Sequence, residues 1–296
     1  MKFAYLILAH HNFSQLQLLL NMLDEVENDI YVHIDKKVKG TISLNTVKSK
    51  LYRVENRVNV TWGDISQIKA EYRLFRMAFN NGPYDYYHLI SGDDLPIKSN
   101  DYIQNFFKQN NGKEFVGYGK DVPERCTKYH LFTKYYRHKS RLIRGSFHLA
   151  RIIFEPIVNL FPKKIPDGVT FKKGANWISV THNCLNLILD KEKWALSFFK
   201  RTYCCDEVFV QTIVWNSPFQ EHIYDKEDLF HGCMRLIDWN RGGPYIWGGE
   251  LVDFQMIIES DRFFARKFDI TTYPQIVEKL CNYLHEPIDI KRHNVE

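Results

Sequence analysis

The sequence predicts an α/β domain with a mostly parallel central sheet and helices on both faces. Short apolar runs alternate with amphipathic stretches of helical length, the pattern of strand–helix–strand units. Polar residues also collect directly after the apolar runs, and in sheets of this kind ligands bind at the carboxyl ends of the strands. The 296 residues suffice for one large domain, and 45% hydrophobic with 25% charged residues is an ordinary globular balance.

Residues 2–9 (KFAYLILA) read as a buried strand, an apolar run closed by a polar turn. A helix dense in leucine follows, with Ser14 as its expected cap. Strands are expected at 29–34 and 58–62, an amphipathic helix at 67–80, and a strand at 84–90 that ends in the turn Ser91-Gly92-Asp93-Asp94. A helix at 100–109 and a strand at 114–118 continue the alternation. Beyond a basic middle, the pattern gives a strand at 177–181, helices at 183–189 and 206–215, a strand at 233–239, and helices at 251–260 and 275–284. No internal repeat, low-complexity tract or linker interrupts it, so residues 1–296 read as one domain with a basic helical insertion at about 121–165, expected as short amphipathic helices.

That insertion is the main anomaly of charge. Residues 125–164 hold ten Lys/Arg and one acid, a local net of +9, so the rest of the chain carries −4 of the overall +5. Such a run reads as a solvated helical face or, with Phe, Leu and Ile interleaved in RLIRGSFHLARIIF, as a surface that docks on an anionic membrane. Nothing else supports a nucleic-acid partner. The most apolar N-terminal stretch, 3–9, is too short to span a bilayer and lacks the features of a signal peptide. The six cysteines include no CxxC pair, which argues against a structural zinc site and fits reduced thiols. The expected location is the cytoplasm, with a peripheral contact at the inner face of the cell membrane.

Three polar groups stand at strand ends: His10 and His11, then Asp35 with Lys36 and Lys37, then Asp93 and Asp94. Read on their own, His10, His11, Asp35, Asp93 and Asp94 could be the ligands of a metal-dependent hydrolase. The ordered blocks of the chain point elsewhere. YLILAHHNFSQLQLLLNML, YVHIDKK, TWGDISQIKAEYRLFRMA, YDYYHLISGDDLPIKSN, GANWISVT, DEVFVQT and FFARKFD together resemble the core-2/I-branching N-acetylglucosaminyltransferase and peptide O-xylosyltransferase family, over roughly the whole chain apart from the basic middle.

The resemblance implies a GT-A-like nucleotide-diphospho-sugar transferase fold and an inverting transfer from a UDP-sugar, without a metal ion or other cofactor. The donor is expected to be UDP-N-acetylglucosamine, with UDP-xylose as the alternative. The acceptor is expected to be a glycan or lipid-linked glycan of a bacterial surface polysaccharide, since no Golgi anchor or disulfide pattern of the eukaryotic members is evident.

By the same resemblance Glu207 in DEVFVQT is the base that takes the acceptor proton. Its alternative reading is a first-turn helix residue that complements the dipole, and Asp206 reads as an N-cap or support residue. Lys267 in FFARKFD matches the contact to the diphosphate, and Arg235 or Arg241 in MRLIDWNRGGPY is its expected partner; Arg266 reads as ordinary surface charge. Asp35 resembles the uridine-binding residue, with His10 and His11 forming the rest of that pocket. Asp93 and Asp94 belong to a motif that holds sugar hydroxyls. Trp177 is either an acceptor-stacking platform or core packing, and Trp62 and Lys98 lie in family blocks but read equally as core packing or loop structure. A third class, a glycan-binding scaffold that has lost its chemistry, keeps the fold alone.

Overall fold

The structure, a computed structural model, describes residues 1–119 and 123–285; residues 121 and 122 of the expected insertion lie outside them. The chain begins β1 (Phe3–Ala9), α1 (Phe13–Leu23), β2 (Asn28–Ile34), β3 (Lys50–Arg53), α2 (Ser66–Asn81), β4 (Tyr86–Ser91), β5 (Leu95–Pro96), α3 (Asn100–Gln109) and β6 (Phe115–Val116). The basic middle forms α4 (Pro123–Thr127) and α5 (Arg141–Val158). The alternation resumes with β7 (Ile178–Thr181), α6 (His182–Asp190), α7 (Glu192–Phe198), α8 (Phe209–Trp215) and α9 (Leu229–Gly232). It closes with β8 (Arg235–Ile237), α10 (Asp253–Glu259), β9 (Phe264–Arg266) and α11 (Pro274–His285).

Six strands form the central sheet in the order β3-β2-β1-β4-β7-β6. The pairings β2–β3, β1–β2 and β1–β4 are parallel, and β7 pairs antiparallel with both β4 and β6. A second sheet, β5-β9-β8, carries the C-terminal part. β1 is apolar throughout because it is buried on both faces. Successive strand side chains point to opposite faces. Ala4 and Leu6 therefore pack with α2, α6 and α8, while Phe3, Tyr5 and Ile7 pack with α1, α3, α11 and the second sheet.

One buried side chain ties these parts at the sheet edge. The Gln15 amide of α1 donates to the carbonyls of Gly92 and Phe268, each at 3.0 Å, and accepts from the Ile270 amide at 2.9 Å. The loop after β4 is thereby fixed against the segment after β9, the two loops that carry Asp93 and Lys267.

Four local expectations are corrected. The third strand is Lys50–Arg53, not 58–62. Residues 58–60 form no strand and are tied to the end of β2 mainly by side chains: the Val58 amide donates to His33 Nε2 at 2.8 Å and the Val60 amide to Asp35 Oδ2 at 3.3 Å, while the Val58 carbonyl accepts from the Lys36 amide at 3.0 Å. The cap of α1 is Asn12, whose side chain accepts from the Gln15 amide; Ser14 sits in the first turn and donates to Asn12 Oδ1. The helix expected at 206–215 is broken. Cys205–Glu207 form a separate 3-10 turn, and α8 starts at Phe209, so Glu207 does not sit in the first turn of an α-helix. The basic middle is not a set of short helices alone, since α5 runs for 18 residues. Among the described residues no helix is long and apolar enough to cross a membrane.

Candidate active site

A cavity of about 760 Å³ opens at the carboxyl ends of β1, β2 and β4. Its wall takes His10 and His11 from the turn after β1, Asp35 from the end of β2 and Asp93 from the turn after β4. The segment leading into β7 supplies Lys173, Asn176 and Trp177. The 3-10 turn before α8 supplies Asp206 and Glu207, and the end of β9 supplies Arg266 and Lys267. Residues far apart in sequence meet here because their strands are adjacent in the sheets.

On one side, the Lys267 ammonium lies 3.2 Å from Asp93 Oδ2, and His11 Nε2 lies 3.5 Å from Asp93 Oδ1. The backbone fixes this group: the Phe268 amide donates to the Asp93 carbonyl and the Trp247 amide to the Lys267 carbonyl, each at 2.9 Å. Burial pulls the His10 imidazole below its ordinary value, and neighbouring His11 adds to the effect. The two rings lie 4.2 Å apart. Asp35 accepts from the Lys37 amide at 2.8 Å and, through its other oxygen, from the Val60 amide.

The opposite side holds Glu207. Its Oε2 accepts from Arg125 Nη1 at 2.8 Å and faces Lys173 Nζ at 3.5 Å. The Glu207 carbonyl accepts from the Gly174 amide at 2.8 Å. Gly174 allows the close approach of chains here, because a Cβ on it would stand 1.7 Å from the Gly117 carbonyl oxygen. Asp206 beside Glu207 is half-buried, with its Oδ1 sealed from solvent; no side-chain cap bond is formed at α8, so it is not the expected N-cap. Burial, with the Glu207 charge adding to it, pushes Asp206 up to about 7. Glu71 of α2 is fully buried, accepts from Asn176 Nδ2 at 3.0 Å, and is raised well above the carboxylate range by burial first and Asp206 second. Both carboxyls therefore hold a proton more readily than an ordinary carboxylate, Asp206 in the cavity wall and Glu71 buried outside it.

Three expected site residues are placed differently. Arg235 is 1% exposed and lies outside the cavity wall. Its guanidinium donates to the carbonyls of Cys233 at 2.8 Å, Ile178 at 3.3 Å and Leu89 at 3.4 Å, which joins the two sheets through the core. Arg241 also lies outside the wall, held by Asp238 at 2.6 Å and Asp253 at 2.7 Å and stacked on Tyr245. The second cation in the wall is Arg266, which the sequence reading took for surface charge; it is 8% exposed, its Nε lies 3.5 Å from Asp94 Oδ1, and its guanidinium covers the Trp177 ring at 4.1 Å. Asp94 is fully buried and accepts from the Ser91 amide, so it braces the turn and does not reach the cavity.

Trp177 thus has a cation on one face and lines the cavity. Trp62 also lines it, with the Arg137 guanidinium 3.4 Å over its ring. Lys98 donates to the Ile258 carbonyl outside the wall. Among the described residues no three of His, Cys, Asp and Glu come together in a way that could hold a metal ion. His10, His11, Asp35, Asp93 and Asp94 do not form one ligand set.

The family model of the Core-2/I-Branching enzymes matches residues 3–247. This chain belongs to that family. The match stops short of Arg266 and Lys267. Similar curated proteins include xylosyltransferase 2 of Rattus norvegicus, 22% identical over 308 residues covering 96% of this chain and 34% of that protein. Another is the N-acetyllactosaminide beta-1,6-N-acetylglucosaminyl-transferase of Mus musculus, 25% identical over 304 residues covering 96% of this chain and 72% of that one. The chain spans about a third of the length of the xylosyltransferases it matches. Among solved structures, residues 1–349 of S. aureus TarS in complex with UDP align with a TM-score of 0.38 and 13% identity, over 74% of this chain and 56% of that one.

Proposed function

We propose that this member of the Core-2/I-Branching family is an inverting, UDP-sugar-dependent glycosyltransferase with Glu207 as its base. The observation that carries the reading is that one cavity wall holds both Glu207 and the adjacent cations Arg266 and Lys267. In the proposed reaction Glu207 takes the proton of an acceptor hydroxyl, and the freed oxygen attacks the anomeric carbon of the donor from the side opposite the diphosphate. The bond from that carbon to the diphosphate oxygen breaks, the configuration inverts, and UDP leaves with its charge held by Lys267 and Arg266.

Arg125 and Lys173 hold the Glu207 carboxylate on its wall. Asp35, His10 and His11, at the ends of β2 and β1, are assigned to the uridine. Asp93, paired with Lys267, is assigned to the donor sugar or the cation that faces it. Trp177, backed by Arg266, is assigned as the ring on which the acceptor stacks.

The donor in this proposal is UDP-N-acetylglucosamine, and the acceptor is a glycan or lipid-linked glycan of bacterial surface polysaccharide. In this proposal the transfer runs without a divalent ion, its place taken by the two cations in the wall; among the described residues no group of His, Cys, Asp and Glu there could hold a metal. A titration of UDP, UDP-N-acetylglucosamine and UDP-xylose in EDTA, followed by UDP release with a panel of glycan acceptors, tests it. The reading expects tight binding that EDTA leaves unchanged and turnover with one donor. Binding that disappears in EDTA would return the site to the metal-hydrolase reading.

A further inference from the structure

We infer that α5, with the turn before it, is a docking surface for an anionic phospholipid bilayer. The proposal deepens the functional reading by naming the surface at which the cavity works. Binding to vesicles requires no nucleotide, so the two readings can fail separately.

The first observation is that α5 is turned inside out. A surface helix normally buries its apolar stripe and shows its charges to water. None of the residues of α5 is buried. Leu142, Leu149, Ile153 and Ile157 follow one another at helical spacing on one face, and they are 84%, 61%, 51% and 55% exposed. The strip continues past the helix end in Leu160 and Phe161, 74% and 79% exposed. An 18-residue helix is about 27 Å long, and the apolar strip runs along it with one gap at Gly145 and Ser146.

The second observation is a basic cradle on the opposite face of the helix, where α5 meets the turn before it. Arg141, Arg144, His148 and Arg151 line a cavity of about 440 Å³ with Tyr135 and Tyr136. Its aromatic wall is rigid, since Tyr135 stacks on Phe147 at 3.6 Å and Arg151 lies 4.8 Å over the Tyr136 ring. Among the described residues none of the three arginines is paired with a carboxylate. The one acid of the helix, Glu155, is engaged by the Leu131 amide at 2.8 Å and the Tyr136 hydroxyl at 2.9 Å.

The cradle is therefore a site of unneutralised positive charge of the size and hydrogen-bonding type that suits a phosphodiester headgroup. A helix with an apolar face at acyl depth and a basic face above it at headgroup level is the arrangement that lies in a membrane interface. A second copy of this chain, at +5 overall, is a poorer partner for three arginines without carboxylates than an anionic surface is. The segment also reaches the proposed active site: Arg137 covers Trp62 in the cavity wall and Arg125 holds Glu207. Docking through α5 would thus bring the cavity close to the bilayer surface.

The test is co-sedimentation of the full chain with vesicles of equimolar phosphatidylcholine and phosphatidylglycerol, and with vesicles of phosphatidylcholine alone. The proposal expects partition onto the anionic vesicles that weakens with salt. Each arginine replaced by glutamine should cost about fivefold, and the triple variant Arg141→Gln, Arg144→Gln, Arg151→Gln roughly a hundredfold. Leu149→Ser and Ile153→Ser should each cost about tenfold or more, with UDP affinity unchanged as the check on folding. No partition of the unmodified chain, or equal partition onto neutral vesicles, overturns it. A lipid-free dimer that Leu149→Ser and Ile153→Ser dissociate would assign the ridge to a second copy instead.

Discussion

Lys267 and Arg266 are neighbours in the chain, but they are paired so differently that truncating each one separates binding from stability. Lys267 is 34% exposed at its side chain and shares a pair of 3.2 Å with Asp93, itself 10% exposed. A pair so open to water is worth about 1 kcal/mol or less, so Lys267→Ala should lower the melting temperature by a few degrees at most. If Lys267 contacts the diphosphate as proposed, the same change removes a charged hydrogen bond worth about 1.5–3 kcal/mol, which is roughly a ten- to 150-fold loss in UDP affinity. Arg266 is 8% exposed, and its partner Asp94 is 1% exposed at the side chain with Oδ1 lacking any hydrogen bond. Arg266→Ala leaves that carboxylate buried without its cation, at a cost of about 3 kcal/mol, or roughly 6–12 °C in melting temperature. Adding Asp94→Asn to Arg266→Ala should recover much of that loss while UDP binding stays weak. Calorimetric titration of UDP in EDTA, with melting scans of each variant, provides the readouts. Unchanged UDP affinity in Lys267→Ala refutes the diphosphate assignment, and an Arg266→Ala protein that melts with the wild type refutes the account of the buried pair.

Other substitutions test the rest of the site. Asp206 is raised by burial from its ordinary 3.8 to about 7, so the folded state holds a proton that the unfolded state has released between those values. Its contribution is fully present below about 3.8 and is lost as pH rises through about 7, so Asp206→Asn should flatten the fall in melting temperature over that window. Arg235→Ala should destabilise the fold by about 3 kcal/mol or more, since it removes the buried donor to the carbonyls of Cys233, Leu89 and Ile178, and the protein that remains folded should bind UDP normally. Arg125→Ala frees Glu207 from its 2.8 Å partner and should lower turnover by about ten- to a hundredfold while UDP affinity holds.

The strands that the sequence displays most clearly are those buried on both faces. β1 and β2 are apolar runs in which every residue but Leu8 is buried, and their ends were legible to within a residue or so. β3 was not, because an edge strand with the sequence KLYR and exposed ends has no apolar signature, whereas the alternation of Val58 and Val60 imitates one. The break before α8 depends on Cys204, at φ 47, entering the 3-10 turn, which a helical apolar pattern does not register.

The site was legible where it follows strand ends: His10, His11, Asp35, Asp93 and Lys267 all line the cavity, as do Trp177 and Glu207. What remained hidden depends on distant partners. Arg235 and Arg266 look alike in sequence, and only the packing of the second sheet against the first buries one in the core and turns the other over Trp177. Glu71 lies in the middle of an ordinary amphipathic helix, and its proximity to Asp206 and Asn176 is set by where α2 crosses the sheet. Arg125 had a signal, the concentration of charge in the middle segment, but nothing local linked it to Glu207.

The central claim is that Glu207 accepts the acceptor's proton during transfer from a UDP-sugar. Glu207→Gln keeps the size and much of the hydrogen bonding of the side chain and removes its basicity. The direct measurement is the rate of sugar transfer by this variant, with UDP affinity determined on the same sample. The account predicts wild-type UDP binding with turnover reduced by about 100- to 10,000-fold. Turnover within a fewfold of wild type would contradict it, and so would a protein that binds no UDP before the substitution is made.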